Sequence, residues 1–70
     1  MTTPSPRPAS ILRLSQVISR TGLSRSTIYQ RMDDGEFPRQ ISLGANSVGW
    51  IEAEIDDWIS SRIQQSREAA

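Results

Sequence analysis

Seventy residues without cysteine, histidine or lysine make one small domain with no disulfide, no thiolate or imidazole metal site and no Schiff-base chemistry. Eight arginines balance eight acids, for zero net charge; carboxylates, hydroxyls and one tyrosine are what remains for catalysis, so neither an enzyme nor a cofactor is expected. The charge is segregated: residues 1–32 hold five arginines and no acid, while residues 33–70 hold three arginines and all eight acids, which fits a basic binding face or simply a solvated surface.

No apolar run approaches the ~18 residues of a membrane span, and no signal-peptide pattern is present. A soluble, cytoplasmic protein with no membrane partner is expected. Residues 1–10 crowd threonine, serine and proline and read as a flexible tail. Its Arg7 is either idle or a basic arm touching DNA.

From residue 11 to 67 the pattern predicts one domain, mainly α with a small β-hairpin. Ser15 is the expected N-cap of the first helix, with Leu14, Val17 and Ile18 on its apolar face and Gly22 at the turn that follows. The second helix is capped by Ser24. Leu23 before the cap and Ile28 in the fourth helical position form a hydrophobic staple. Helical spacing puts Ile28 and Met32 inward, Ser26, Tyr29, Gln30 and Asp33 outward, and Arg25, Thr27 and Arg31 on the flanks. Gly35 stops this helix and Pro38 prevents its return.

Ile41-Ser42-Leu43 and Val48-Gly49-Trp50 alternate around the turn-rich Gly44-Ala45-Asn46-Ser47, predicting a hairpin with a four-residue loop. A last helix is expected from about Glu52 to Arg67, with Ile55, Trp58, Ile59, Arg62 and Ile63 at helical spacing and a frayed end after Ser66. Its early acids, Glu52 to Asp57, suit the helix dipole better than a metal. Phe37, Trp50 and Trp58 are the expected core aromatics. Helix, glycine turn, capped helix and hairpin together describe a winged helix-turn-helix.

Gly22-Leu23-Ser24-Arg25-Ser26-Thr27-Ile28-Tyr29, Gly35-Glu36-Phe37-Pro38, Leu43-Gly44, Val48-Gly49-Trp50 and Glu54-Ile55-Asp56-Asp57-Trp58-Ile59, in that order, resemble the AlpA family. Its members are phage and prophage regulators with a winged helix-turn-helix of MerR-like or excisionase-like type. The resemblance covers about residues 11–63. It implies site-specific binding of double-stranded DNA in the bacterial nucleoid, with transcriptional control as the usual role. The rival within this class is an excisionase-like recombination directionality factor. RNA polymerase, a recombinase and further copies on repeated sites are the partners these roles imply. Carried over by match, Arg25, Ser26, Thr27 and Tyr29 are recognition-helix contacts. Two departures stand out: Gln40 replaces a proline frequent in relatives, and Ala45, Asn46 and Ser47 occupy a wing turn that often carries a basic residue. Arg39, at the base of the wing, partly substitutes.

The helix of residues 24–34 is thus expected in the major groove. Ser26, Tyr29 and Gln30 would meet bases or the groove wall, and Arg25, Thr27 and Arg31 the phosphates; Arg39, Asn46 and Ser47 would follow the flanking backbone. Each residue also has a plain alternative. Arg31 pairs with Asp34, Tyr29 packs half-buried, and Gln30 is a solvated helix former. In a different functional class, the acidic last helix serves as a protein-interaction face and the arginines only solubilise.

Overall fold

The computed structural model describes residues 10–69, and within them the order is β1 (Ile11–Leu12), α1 (Leu14–Thr21), α2 (Arg25–Asp33), β2 (Ile41–Gly44), β3 (Ser47–Ile51) and α3 (Glu52–Ala69). Of the expected tail, only Ser10 lies among the described residues. The strands form one antiparallel sheet in the order β1-β3-β2, so the fold is the expected helical domain with a hairpin wing.

Strand β1 escaped the sequence reading, because two residues are too short for alternation to show. It forms because Ile11 and Leu12 pair with Ile51 and Trp50. The Ser10 carbonyl extends this seam by accepting from the Glu52 N–H at 2.8 Å. β3 runs straight into α3, so that bond also satisfies one of the orphan donors of the helix start.

Helix α1 starts earlier than expected. Arg13 is the N-cap, and Ser15 lies inside the first turn. The Gln16 side chain reaches back to accept from the Arg13 N–H at 2.8 Å, the N3 half of a capping box, while the first helical N–H groups get no side-chain cap from Arg13. At the other end Gly22 is left-handed (φ 75°), and its N–H binds the Ile18 carbonyl at 2.8 Å. Thr21 shapes the turn: its hydroxyl donates to the Val17 carbonyl at 2.8 Å and accepts from the Leu23 N–H at 3.2 Å.

The core comprises Leu12, Val17, Ile28, Met32, Phe37, Trp50 and Ile55, all buried. Trp50 and Val48 alternate with Gly49 on β3, so one face of the sheet belongs to this core. Two indoles hold the segment between α2 and the wing. Trp50 Nε1 donates to the Pro38 carbonyl at 3.1 Å, and Trp58 Nε1 to the Glu36 carbonyl at 2.9 Å. Phe37, between those carbonyls, meets Trp58 edge-on at 4.8 Å between ring centroids.

The hairpin loop is shorter than the four residues expected. Gly44 pairs with Ser47, leaving Ala45 and Asn46 to turn, with Asn46 left-handed at φ 62°. Asparagine tolerates that conformation. The register slips between Ser42 and Gly44, a bulge centred on Leu43. Helix α3 likewise continues through Ala69 instead of fraying at Ser66.

Gly49 is needed for close approach. A Cβ there would lie 2.5 Å from Ile11 Cγ2 and 3.1 Å from the Leu12 carbonyl oxygen. Gly49→Ala is therefore expected to cost about 1–3 kcal/mol by overpacking, measured as a lower urea midpoint at unchanged slope. A domain this small has roughly 4–10 kcal/mol in total.

Candidate nucleic-acid interface

Helix α2 is well anchored at both ends. Ser24 is extended (φ −76°, ψ 164°), and its Oγ accepts from the Thr27 N–H at 3.2 Å. The same hydroxyl donates to Thr27 Oγ1 at 2.9 Å, so the Thr27 hydroxyl hydrogen is left for an outside acceptor. At the far end Gly35 is left-handed (φ 75°). Its N–H binds the Met32 carbonyl at 3.1 Å and the Glu36 N–H binds the Arg31 carbonyl at 2.8 Å, the two bonds of a Schellman motif.

Ile28 and Met32 are buried, and Leu23 packs against the same core cluster, as the staple requires. The opposite face presents Ser26 and Gln30, exposed, with Thr27 half-buried beside them and Asp33 farther along. Tyr29 departs from its expected outward position. It is half-buried, edge-on to Trp50 at 6.4 Å. The Arg25 guanidinium lies 5.7 Å from the Tyr29 ring centroid, in cation–π range. A buried indole thus sets the phenol, and the phenol sets the arginine. Arg25 itself is exposed.

Charge runs along this helix. Its first turn holds no acid, so the positive end of the helix dipole adds to Arg25. Asp33, Asp34 and Glu36 gather at the other end, all exposed. Arg31 is half-buried and makes no ion pair with Asp34, and its Nε is buried without a hydrogen-bond partner among the described residues. On the wing, Arg39 is exposed just before β2, Asn46 is exposed at the tip, and Ser47 is half-buried in β3.

One arginine of the basic half is unavailable. Arg20 donates to Glu52 at 2.7 Å and to Asp56 at 2.9 Å, tying α1 to the start of α3. Two of the early α3 acids therefore serve as a clamp as well as a helix start. Nothing local in the sequence announces this pairing, because its partners lie 32 and 36 residues apart.

A family model described as the Prophage CP4-57 regulatory protein (AlpA) matches residues 10–63. The chain belongs to the AlpA family. It is similar to the Escherichia coli (strain K12) protein named DNA-binding transcriptional activator AlpA, at 52% identity over 58 residues, covering 74% of this chain and 83% of that one. It is also similar to the uncharacterized protein ORF88 of Enterobacteria phage P4, at 48% identity over 52 residues, covering 74% of this chain and 59% of that one. The AlpA match takes in β1, both helices of the helix-turn-helix, the wing and α3 as far as Ile63.

Ser24→Ala is expected to lower stability by about 1 kcal/mol through loss of the cap. Arg20→Ala should cost less than about 1 kcal/mol, because its ion pairs are solvent-exposed. Chemical denaturation of the two variants side by side checks this ranking.

Proposed function

We propose that this chain is a site-specific DNA-binding regulator of phage or prophage type, working in the bacterial cytoplasm with α2 in the major groove. The observation that carries the reading is the first two turns of α2. There a capped, core-backed helix end presents Arg25, Ser26, Thr27 and Gln30 with no acid among them. The E. coli relative named as a DNA-binding transcriptional activator supports the same reading.

Arg25 suits a phosphate or guanine because its fork donates two parallel hydrogen bonds. The Thr27 hydroxyl and the guanidinium of Arg31 hold phosphates on the two flanks. Ser26 permits close approach, and Gln30 can pair two-fold with adenine. Tyr29 contributes its phenolic edge to the groove wall while bracing Arg25. Arg39, Asn46 and Ser47 follow the backbone beside the site, with Arg39 the charged member. The acids at the C-terminal end of α2 repel phosphate, so the helix enters N-terminus first. Its regulatory partner is RNA polymerase if it activates transcription. A recombinase partner belongs to the directionality-factor role, which loss of excision on deletion would distinguish. The rival use of the acidic α3 as a protein-binding face is weakened by the engagement of Glu52 and Asp56 with Arg20.

A selection of bound sequences from random DNA supplies the site, and titrations on it test the roles. Arg25→Ala should weaken binding about tenfold and reduce the salt slope by about one. Tyr29→Phe should keep the fold and separate the hydroxyl from the packing. A folded Arg25→Ala protein that binds unchanged would remove α2 as the reader.

A further inference from the structure

The depression beside Phe37 and Trp58 takes no part in the face of α2. Its floor is the Phe37–Trp58 pair, and its rim carries Glu36, Glu54, Asp57 and Arg62. It is broad and open, with a volume of about 540 Å³. On α3, Glu54, Asp57, Trp58 and Arg62 follow at i, i+3, i+4 and i+8, so they share one face. Glu36 joins them from the segment after α2, because the Trp58 indole bond to its carbonyl holds that segment against the helix.

The floor is fixed before anything binds. The Trp58 ring is held by that hydrogen bond and by the edge of Phe37, 4.8 Å away between centroids. It already receives one guanidinium: Arg62 lies 5.5 Å from the ring centroid, in cation–π range. Arg62 donates to the Gln65 side chain at 3.3 Å and not to a carboxylate. Among the described residues, Glu36, Glu54 and Asp57 form no ion pair, and all three are exposed. Glu52 and Asp56, the neighbouring acids of α3, are engaged with Arg20. Arg39 borders the adjoining hollow and not this one. Three carboxylates thus share an aromatic-floored depression with a single arginine.

We infer that this depression docks a basic, arginine-bearing segment of a partner protein. An incoming guanidinium takes the place of Arg62 over Trp58, and the carboxylates of Glu54 and Asp57 accept its forked N–H groups. Arginine is favoured over lysine, whose ammonium stacks less well and cannot fork. From Glu54 to Arg62 the rim follows about 12 Å of helix at 1.5 Å per residue, the reach of roughly three or four extended residues. The occupant is therefore a peptide segment and not a single ion. The same carboxylates repel phosphate, which sets a nucleic acid aside. Glu36 follows Gly35, the stop of α2, so with the first turns of α2 in the groove this depression stays at the acidic end of the helix, open to a protein bound alongside. That consequence rests on the proposed reading of α2; the docking site itself does not.

The test is an NMR titration of the isotope-labelled full chain with a blocked hexa-arginine peptide at low salt. DNA is absent, so a failure here leaves the α2 reading untouched. The Trp58 indole N–H and the amides around Glu54 and Asp57 should shift, with a dissociation constant on the order of 1 mM or below. The amides of Arg25 and Ser26 should stay in place. Shifts spread evenly over Asp33, Asp34 and Glu68 would mean unspecific attraction and overturn the inference. Glu54→Gln combined with Asp57→Asn, both at exposed positions, should keep the fold and weaken binding at least about fivefold. Arg62→Gln vacates the ring and should tighten binding about twofold or more; binding that is not tighter overturns the displacement. Hexa-lysine should bind at least about threefold more weakly, and equal binding refutes the role of Trp58. A DNA duplex that shifts the same residues would make this a nucleic-acid surface and overturn the inference as well.

Discussion

Two indole N–H groups hold this molecule in shape. Trp50 reaches the Pro38 carbonyl from the sheet, and Trp58 reaches the Glu36 carbonyl from α3. Between those carbonyls Phe37 fills the space with its ring against Trp58. Segment 36–38 leaves α2 and leads to the wing, and no regular secondary structure would otherwise fix it. The Pro38 carbonyl is part-buried, and leaving it unpaired would cost about 1–3 kcal/mol; the Trp58–Glu36 bond is exposed and fixes position more than it satisfies a buried group. The tryptophans supply both the apolar area and the donors, which a leucine at either site would not. Helix α2, the sheet and α3 are thereby held in one arrangement.

That arrangement also aims the candidate interface. Trp50 lies under Tyr29, and Tyr29 lies under Arg25. A long arginine side chain loses much rotamer freedom when it binds. Stacking on a phenol that is itself packed reduces that cost beforehand. The Ser24–Thr27 pair acts in the same way on a smaller scale, since the cap that stabilises the helix also frees one hydroxyl hydrogen to point outward. Stability and the presentation of polar groups come from the same residues here.

Charge is sorted by the fold more finely than by the chain halves. Arg20 belongs to the basic half in sequence, yet it is spent on Glu52 and Asp56. The acids that follow α2 sit at one end of the helix and leave the other end positive. The wing turn carries no charge, so Arg39 is the one cation of the wing strands and their approach. A zero net charge thus conceals a helix α2 that is positive at its start and acidic at its end.

Much of this was legible along the chain. Ser24, Leu23 and Ile28 marked the start of α2, and Gly35 marked its end, because caps and staples act within a few residues. The spacing of Ile55, Trp58 and Ile59 defined α3 for the same reason. What local pattern left out were features made by distant partners. Strand β1 exists only through its pairing with β3. The start of α1 was instead a local contest, in which Gln16 binding the Arg13 N–H three residues back set the boundary two residues ahead of the Ser15 reading. The register of the turn shortened the hairpin loop to two residues. Tyr29 turned partly inward because Trp50, 21 positions later in the sequence, offers its ring. The sequence by itself determined the three helices, the hairpin, their order and the family, since these depend on short-range hydrogen bonding and periodicity. Tertiary structure alone decided which arginines stay free, which aromatic braces which cation, and which apolar faces remain uncovered, because those outcomes depend on contacts between residues that only folding brings together.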